Sequence, residues 1–582
     1  MWFTSRVHRR ETGRKPVRAS RFVPRLEALE DRAVPSTLTV VNTLDKGAGS
    51  LRDTIGRAHY GDTIVFDPGL NGQTIALASD ELAIKKSLDI EGPGASLLAV
   101  SGSDAVRVFD ISEGLAVKIA GLTITHGRAV GASTSGGGGG GILNAGSTVT
   151  LANDVLSYNA DLGGTGEAQG GAISNLSAGA VLTVTDSTFI GNRADGTIKN
   201  RIWAEGGAIF NGTKGATATV IRCTFVSNQA LAGNGAVANN GGNNIVGEAN
   251  GGALHNEGAS TLTVLDSTFI GNQAVGGSGG SAQRGVSSYI LDTAFGGAIA
   301  DDDGGALVVS GSTFSGNRAI GGSNGIANAT GQGIVGVGAG GALGILGPAT
   351  LTNCRFDHNQ AIGGSGNSGG SPATTVGRGV GGAIQNTAFA GAPAFLAISD
   401  CTFANNQAVG GAGNAGCGFV NEGLAGALDN TRGAMATVTG STFTGNQAIG
   451  GQGGAGQKGG AGLGGAFANV VGSTLTYSGS TLSGNQAIGG AGGGGASGGN
   501  GFGGGVYNDG QSTFTILTST VTGNSATGGA PDSGGIAGLG EGGGAYFAAG
   551  GTVYLDASTL ADIFGNTAST DNDDVFGVFT IC

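Results

Sequence analysis

Three consecutive aspartates, Asp301, Asp302 and Asp303, form the densest group of chemistry-bearing side chains in this sequence. They lie between two tandem glycine blocks, GGAIA and GGALV. Protein-bound Ca²⁺ takes several carboxylate and carbonyl oxygens, so these aspartates are the candidate ligands and Ca²⁺ is the one cofactor considered. Adjacent acids on a strand point alternately to opposite faces, and such a run is also typical of a solvated turn. The same alternatives hold for the run DNDD at 571–574.

The five histidines do not suggest a metal centre or a catalytic base. None has a partner at H-x-x-x-H spacing, so we expect no zinc site. His255 in GGALHN and His358 in FDHN occupy positions that differ among otherwise similar segments of the chain. We therefore predict that both are exposed surface residues, and we predict no catalytic residue.

Those similar segments are copies of one repeat, which predicts the elements that position every side chain above. An apolar residue followed three positions later by asparagine occurs eleven times, at intervals of 33 to 47 residues. The asparagines are Asn159, Asn192, Asn228, Asn272, Asn317, Asn359, Asn406, Asn446, Asn485, Asn524 and Asn566. The preceding apolar residue is phenylalanine in seven copies: Phe189, Phe225, Phe269, Phe314, Phe356, Phe403 and Phe443.

A second block, GGAI or a near variant, precedes each of these asparagines by 16 to 22 residues. Between the blocks lie β-branched runs such as TLTVLDSTF (261–269), which indicate strands, and a glycine-rich arm of variable length follows each asparagine. Constant strands with variable loops are typical of a solenoid. We predict two coils per repeat of about 40 residues, parallel pairing, a flexible fringe of glycine-rich loops, and a rod on the order of 120 Å long.

The recurring phenylalanines and asparagines predict two structural ladders. Identical residues on successive coils stack, and offset ring stacking adds roughly 0.5–1.5 kcal/mol per pair. Asparagine amides can bond along the axis while tolerating the left-handed backbone of a tight turn. A residue that recurs eleven times at one position is not a unique catalytic residue.

The five cysteines fall mostly on the same repeat. Cys223, Cys354 and Cys401 replace the serine of the STF segment and are predicted to be interior, whereas Cys417 and Cys582 lie elsewhere. With two coils per repeat, Cys354 and Cys401 would be separated by about 9.6 Å. That distance exceeds the roughly 7 Å limit for a disulfide.

The paired GGA[ILV] and FxxN blocks resemble the repeats of polymorphic outer-membrane proteins and autotransporter passenger domains. The wider resemblance is to the right-handed parallel β-helix, or pectin-lyase-like, fold, which implies an all-β solenoid. We expect an N-terminal cap and first coils at 37–127, in which SLRDTIGRA (50–58) forms a short helix, repeats at 128–570, and a closing segment at 571–582.

Residues 1–36 differ from the rest of the chain. They hold nine of the 28 Lys and Arg residues and precede an acidic body with 19 basic and 36 acidic groups, so we expect no nucleic-acid partner. The stretch RFVPRLEALEDRAVPS resembles a leader motif of large bacterial surface and secreted proteins. That resemblance implies a disordered export segment and a secreted or cell-surface location. Neither a classical signal-peptide core nor a transmembrane segment is predicted.

Three functions are compatible with the sequence. The first is a non-catalytic extracellular or cell-surface solenoid with a structural, adhesion or display role. The second is a solenoid that binds carbohydrate or other cell-surface components, which an outward aromatic row would favour. The third, implied by the fold resemblance, is a polysaccharide lyase or hydrolase, which would need acids and a base clustered on neighbouring coils.

Overall fold

The computed structural model describes residues 35–582 except 131–136, 164–165, 198–202, 213–214, 240–243, 303, 329–330, 373 and 389–393. The predicted leader, up to residue 34, lies outside the described residues, and so does Asp303.

The chain winds into a right-handed parallel β-helix, which confirms the predicted fold class. One coil shows the pattern: Leu254–Asn256, Thr261–Leu265, Thr268–Ile270, Gln273–Val275, and then three short strands that lead to the next coil. Each strand pairs in parallel with its counterpart in the neighbouring coils. Within the described ranges the strands form seven sheets, which we number 1 to 7.

Sheet 1 holds the strands that follow the GGA blocks: Leu82–Ile84, Phe109–Ile111, Ile142–Asn144, Ile173–Leu176, Ile209–Gly212, Leu254–Asn256, Ile299–Asp301, Leu343–Ile345, Ile384–Thr387, Leu428–Thr431, Phe467–Asn469, Val506–Asn508, Ala545–Phe547 and Val575–Phe576. Sheet 2 holds the longest strands: Thr37–Val40, Thr63–Phe66, Leu88–Glu91, Ala116–Ala120, Thr148–Ala152, Val181–Thr185, Thr217–Ile221, Thr261–Leu265, Ala306–Ser310, Ala349–Thr352, Phe395–Ser399, Met435–Thr439, Thr474–Ser478, Thr513–Leu517, Thr552–Leu555 and Thr580–Ile581.

Sheet 3 carries the phenylalanine column: Gln73–Ala76, Leu98–Ser101, Thr123–Thr125, Val155–Ser157, Thr188–Ile190, Thr224–Val226, Thr268–Ile270, Thr313–Ser315, Arg355–Asp357, Thr402–Ala404, Thr442–Thr444, Thr481–Ser483, Thr520–Thr522 and Ile563–Phe564. Sheet 4 begins one residue after each ladder asparagine: Arg128–Ala129, Ala160–Asp161, Arg193–Asp195, Gln229–Leu231, Gln273–Val275, Arg318–Ile320, Gln360–Ile362, Gln407–Val409, Gln447–Ile449, Gln486–Ile488, Ser525–Thr527 and Thr567–Ala568.

The glycine-rich arms form the remaining sheets. Sheet 5 immediately precedes the GGA blocks: Ala168–Gln169, Ala204–Glu205, Ala249–Asn250, Ala294–Phe295, Gly338–Ala339, Gly379–Val380, Gly423–Leu424, Gly462–Leu463, Gly501–Phe502 and Gly540–Glu541. Sheet 6 comprises Val237–Ala238, Ser281–Ala282, Ile326–Ala327 and Ser368–Gly369. Sheet 7 comprises Ile245–Val246, Ser288–Leu291, Gln332–Val335, Thr374–Val376 and Phe419–Val420.

These sheets correct the prediction of a flexible loop fringe. The described parts of the arms pair from coil to coil, and sheets 6 and 7 enclose a small core of their own around Tyr289 and Leu291. Glycine is frequent here because neighbouring backbones approach closely: a Cβ on Gly277 would lie 2.1 Å from the carbonyl oxygen of Gly233. The arms therefore widen the coil.

Each repeat forms one coil, and the predicted two coils per repeat are wrong. The rings of Phe269 and Phe314, from successive repeats, have centroids 4.8 Å apart, which is a single strand spacing. The residues of each repeat are used in the extra strands of one wide coil. With 16 strands in sheet 2, the rod is on the order of 70 Å long.

The cysteine positions change accordingly. Cys354 and Cys401 lie on adjacent coils, and the backbone N–H of Cys354 donates to Sγ of Cys401 at 3.3 Å. The predicted separation of two coils is therefore wrong. Both thiols are free and, like Cys223, buried.

The helix predicted at 50–58 is present as Leu51–Arg57, and Ser50 caps it by accepting the N–H of Asp53. Leu51 and Ile55 are buried, so the helix covers the interior at the first coils. The other helices are the 3-10 turn Pro68–Leu70 and the short helix Ala557–Ala561. Among the described residues, no helix has the length and apolar character needed to cross a membrane.

Candidate functional site

The interior of the coil contains the predicted phenylalanine column. Phe189, Phe225, Phe269, Phe314, Phe356, Phe403 and Phe443 are fully buried. Successive rings stack with centroids 4.4–4.9 Å apart and interplanar angles of 2–9°. These side chains contact one another inside the coil, so they fill the core and face no ligand.

The predicted asparagines form a continuous buried ladder. Nδ2 of Asn317 donates to Oδ1 of Asn359 at 2.9 Å and to the carbonyl of Phe269 at 3.1 Å, while its Oδ1 accepts the backbone N–H of Asn272 at 3.0 Å. The same pattern holds at Asn192, Asn228, Asn272, Asn359, Asn406, Asn446, Asn485 and Asn524. The left-handed residue of the turn is the preceding one, for example Gly316 with φ 63°.

A second asparagine ladder runs along sheet 1 and was not predicted. It contains Asn144, Asn175, Asn211, Asn256, Asn386, Asn430, Asn469 and Asn508, with amide contacts of 2.7–2.9 Å. Asp301 occupies one position of this ladder, where its Oδ1 accepts from Nδ2 of Asn256 at 2.6 Å. Ile345 follows in the next coil and offers no polar partner. The sequence signal was the recurring Asn at the end of GGA[IL]xN.

The structure separates the three candidate metal ligands. Asp301 lies in the buried ladder and Asp302 contacts Nε2 of His255. Asp303 is outside the described residues. The described residues contain no group of three or more His, Cys, Asp or Glu side chains able to hold a metal ion. In the run 571–574, Oδ1 of Asp574 accepts a hydrogen bond from Nδ2 of Asn566 at 2.9 Å. Asp574 therefore ends the first asparagine ladder.

A cleft lies outside the coil, between sheets 1 and 5. Each GGA block turns the chain sharply between these sheets, so the residue before the block and the residue five positions later line the two walls. The sheet 5 wall carries Gln169, Glu205, Asn250, Phe295, Ala339, Val380 and Leu424. The corresponding sheet 1 residues are Ser174, Phe210, His255, Ala300, Gly344, Gln385 and Asp429, of which Gln385 and Asp429 line the cavity itself. The cavity between them measures about 260 Å³.

One end of the cleft is lined by acidic residues, among them Glu205 and Asp302, and His255 is buried between these two. Its Nε2 lies 2.9 Å from Oδ2 of Asp302, and its Nδ1 lies 3.9 Å from Oε2 of Glu205. The His255 side chain is fully buried, so the prediction of an exposed surface residue is wrong. Phe210, Glu205 and Asp302 surround this position, whereas His358 is exposed.

The buried charges at this end are strongly coupled. Burial raises the pKa of Glu205 well above its usual range, although His255 opposes the shift. For His255, burial is the largest effect and favours the neutral ring, but the carboxyl groups of Asp302, Glu205 and Glu257 together outweigh it and raise the pKa to about 10. Burial thus favours the neutral form of the Glu205 carboxyl group, and the neighbouring carboxylates favour the charged imidazolium of His255.

The other end of the cleft contains a partly buried ion pair. Nε of Arg378 lies 2.9 Å from Oε2 of Glu422, and the guanidinium stands 5.4 Å from the centre of the Phe419 ring. Gln385 donates to Asp429 at 3.3 Å. Burial raises the pKa of Asp429 to about 7. This end can offer both hydrogen-bond donors and acceptors.

Several polar atoms that line the cleft have no hydrogen-bond partner among the described residues. They are Asn250 Oδ1, Thr293 Oγ1, Asp302 Oδ1 and Asp429 Oδ1. Asn250 is 4% and Thr293 7% exposed, so solvent contact is small. Buried polar groups normally have partners, and a bound polar ligand would supply them here.

Partly exposed aromatic side chains extend both walls toward the C-terminus. The ring of Tyr546 stacks with those of Phe502 and Phe576 at centroid distances of 4.4 and 4.5 Å, and Tyr507 lies 5.6 Å away. Tyr507 and Tyr546 continue the sheet 1 wall, and Phe502 continues the sheet 5 wall. An outward aromatic row is therefore present that the low Trp and Tyr content did not predict.

No protein-family model matches this chain, and no curated protein matches it significantly. Among solved structures, it is similar to the catalytic unit of a thermostable GH87 alpha-1,3-glucanase from Streptomyces thermodiastaticus, at 12% identity over 85% of this chain and 68% of that one, with a TM-score of 0.37.

Two further structures are similar at lower scores. A mannuronic acid specific family 6 polysaccharide lyase from human gut microbiota is 10% identical over 76% of this chain and 86% of that one, with a TM-score of 0.31. Tailspike protein 3 of bacteriophage CBA120 is 11% identical over 84% and 59%, with a TM-score of 0.21. At these scores none of the likenesses defines a function for this chain.

Proposed function

We propose that this β-solenoid binds a linear polysaccharide in the cleft between sheets 1 and 5 and does not cleave it. The observation that carries the proposal is a buried row of polar atoms without partners, Asn250 Oδ1, Thr293 Oγ1 and Asp429 Oδ1, in one cavity. Each such atom costs about 1–3 kcal/mol when it is left without a hydrogen bond. A ligand rich in hydroxyl groups would provide the bonds.

The chemistry of the walls suits a sugar. Sugar rings present hydroxyl groups at their edges and apolar C–H groups on their faces. The cleft alternates polar residues such as Asn250 and Gln385 with apolar ones such as Trp203, Phe295 and Leu424. Pockets of this kind bind through an apolar surface and gain orientation from a few polar groups.

The shape of the cleft suits a chain rather than a single ring. Its lining extends along sheet 5 from Glu205 to Leu424, which is five strand steps. At about 4.8 Å per step this is roughly 24 Å. The partly exposed rings of Phe502 and Tyr546 continue the same walls beyond the cavity. A linear glycan can follow this path parallel to the axis.

The proposed setting is a secreted or cell-surface protein with a display or adhesion role. The formal charge of −12 supports a partner other than nucleic acid. A rigid rod with one continuous ligand-binding face is suited to holding a polymer at a surface.

Isothermal titration calorimetry tests binding directly. Purified protein is titrated with linear oligosaccharides of three kinds: neutral glucan, polygalacturonate and amino-sugar chains. We expect saturable binding of at least one kind, weakened at least tenfold by Trp203→Ala or Gln385→Ala. Tyr60→Ala, which removes an exposed aromatic ring in the N-terminal cap, is the matched control and should bind normally. Failure of every chain to bind would disprove the proposal.

Glycoside hydrolysis is a second candidate function, favoured by the geometry around His255. Glu205 and Asp302 approach opposite nitrogens of the same imidazole, at 3.9 and 2.9 Å. The imidazole lies between the two carboxyl groups and spaces them apart, as the acid and base of an inverting glycosidase are spaced. Burial raises the pKa of Glu205 well above its usual range, so it would donate a proton to the glycosidic oxygen. Asp302 would accept a proton from the attacking water.

Release of reducing ends distinguishes the two functions. For the proposed binding protein, no reducing or unsaturated ends should appear from any oligosaccharide that binds. Turnover that is lost in both Glu205→Gln and Asp302→Asn, while binding is retained, would instead establish the hydrolase.

A further inference from the structure

We propose that Cys354 and Cys401 are a site of oxidative modification, where a disulfide forms between two adjacent coils, and that the free thiols of this structure are its reduced form. The crosslink would not depend on glycan binding, because both residues lie in the interior core and neither lines the cleft.

The register of the coils places the two cysteines opposite each other. Before them in the chain Thr352 pairs with Ser399, and directly after them Arg355 pairs with Thr402. Backbones of neighbouring strands lie about 4.8 Å apart. That spacing falls within the range of roughly 4.4–6.8 Å that separates the Cα atoms of disulfide-bonded cysteines.

The sulfur of Cys401 lies between the two coils. It accepts the backbone N–H of Cys354 at 3.3 Å, and its thiol lies 3.8 Å from the carbonyl oxygen of Leu351, which belongs to the same coil as Cys354. Each thiol also donates to the carbonyl oxygen two residues before it, that of Thr352 at 3.3 Å and that of Ser399 at 3.2 Å. The two side chains therefore have the same orientation, and their sulfurs are neighbours along the column.

The two thiols differ in acidity, which assigns a role to each. The hydrogen bond from the Cys401 side chain lowers the pKa of Cys354. The same contact, together with burial, raises the pKa of Cys401. Because a thiolate is the nucleophile in thiol–disulfide exchange, Cys354 attacks first and Cys401 resolves the intermediate.

The oxidant is a small-molecule disulfide. The Cys354 thiolate attacks one sulfur of this reagent, which forms a mixed disulfide, breaks the S–S bond of the reagent and releases one thiolate. Cys401 then attacks Sγ of Cys354, which forms the bond between the coils and releases the second reagent thiolate. The two protein thiol protons pass to the two released thiolates, and the two electrons lost by the cysteine sulfurs reduce the reagent.

Cys223 occupies the same column and provides an internal comparison. Its backbone N–H donates to Oγ of Ser267, and the strand register places Ser187 on its other side. Neither neighbour can form a disulfide, so the crosslink is confined to one pair of coils. These serines also show that a hydroxyl group fits the column, so variants with serine in place of cysteine should fold.

A metal ion is a weaker explanation of the paired thiols. A structural zinc site takes four ligands. Over the ranges that the structure describes, no three His, Cys, Asp or Glu side chains are grouped to hold a metal ion. Two thiols alone do not complete such a site.

The test uses the full chain with Cys417→Ser and Cys582→Ser, which remove the two exposed thiols and so prevent crosslinks between molecules. The reduced protein is incubated with oxidised glutathione until its thiol count, measured after unfolding, is constant. We expect the count to fall from the three remaining thiols to one. Trypsin should then release fragments 319–355 and 379–432 as one species, lighter than their sum by two hydrogens. The melting temperature should rise by about 2–3 °C, because the link constrains the unfolded chain.

Two further variants complete the test. Cys223→Ser is the matched control and should leave the crosslink and the temperature rise unchanged. Cys401→Ser should stop at the mixed disulfide between glutathione and Cys354. A final count of three thiols, or a glutathione adduct that persists on Cys354 while Cys401 is present, would disprove the paired site. A crosslink that leaves the melting temperature unchanged would show that the bond does not join coils of the folded protein, and would also overturn the proposal.

Discussion

Nδ2 of Asn256 donates to Oδ1 of Asp301 at 2.6 Å, which places the first acid of the Asp-Asp-Asp run inside a buried amide ladder. The next residue of the ladder is Ile345, so Oδ2 of Asp301 has no partner. Asp301 thus terminates one section of the ladder, and its carboxyl group is not available to a surface cation.

Asp301 should make stability depend on pH. Burial raises its pKa from 3.8 to about 7. The folded state therefore binds this proton more tightly than the unfolded state, so the stabilisation is fully present below about pH 4 and is lost as pH rises to 7. The Asp301→Asn substitution should abolish this loss of stability at high pH. At pH 8 the variant should be more stable than the parent protein by on the order of 2–4 kcal/mol.

Denaturant unfolding at pH 4 and pH 8 measures this effect. At pH 4 parent and variant should be about equally stable. Equal stability at pH 8, or a calcium-dependent stabilisation of the parent that Asp301→Asn lacks, would contradict the ladder assignment and favour a metal site.

Phe314→Ala should cost about 3–5 kcal/mol, because it opens a cavity between two stacked neighbours. Phe314→Leu should cost only about 1 kcal/mol, because a branched aliphatic side chain preserves most of the volume. Leu482 already occupies this column beside Phe443. Thermal unfolding is the measurement, with Phe395→Ala on the exposed face of sheet 2 as the control. An unchanged melting temperature for Phe314→Ala would refute the stacked core.

Asn317→Ala should destabilise the coil by at least about 2 kcal/mol, because it leaves the backbone N–H of Asn272 and the carbonyl of Phe269 without this partner. Asn406→Ala should cost a similar amount, since its contacts are the same. Chemical denaturation of both variants provides the comparison. If one variant lost glycan binding while keeping its stability, that asparagine would have a functional role instead.

Thiol titration should find two reactive cysteines in the folded protein and five after unfolding. Cys417 and Cys582 are exposed, whereas Cys223, Cys354 and Cys401 are buried in the serine column. Burial also raises the pKa of Cys223 to about 11, which suppresses its reactive thiolate. Rapid modification of a third thiol in the native state would show that the coil opens locally.

The sequence was sufficient to predict the fold, because the same strand pattern occurs in eleven copies of the repeat. It did not reveal the number of coils per repeat. Strands such as Gly338–Ala339 are too short and too rich in glycine to show a β pattern, and they form only because the neighbouring coil supplies hydrogen bonds.

The cleft was harder to predict for a related reason. Its walls consist of the positions that differ between repeats, so no recurring residue marks them. A surface position was expected for His255 because Phe210 and Gln385 occupy the equivalent positions. It is buried because Phe210, Glu205 and Asp302 pack around it, and only the register of the coils brings these residues together. Glu205 and Asp302 are separated by 97 positions, and the register of the coils brings both to one imidazole.

Within a coil, the residues that form the core differ from the residues that line the cleft, and this separation has a consequence for engineering. The first asparagine ladder repeats one residue type over eleven successive coils and the phenylalanine column over seven, whereas the two positions that flank each GGA block, such as Asn250 and His255, carry side chains that differ from coil to coil. Each coil therefore contributes two variable residues to the cleft, on a scaffold that is otherwise repetitive. Substituting these two residues in one coil at a time would change the contacts made with the sugar unit at that step along the axis. The residues of the folding core would not be changed.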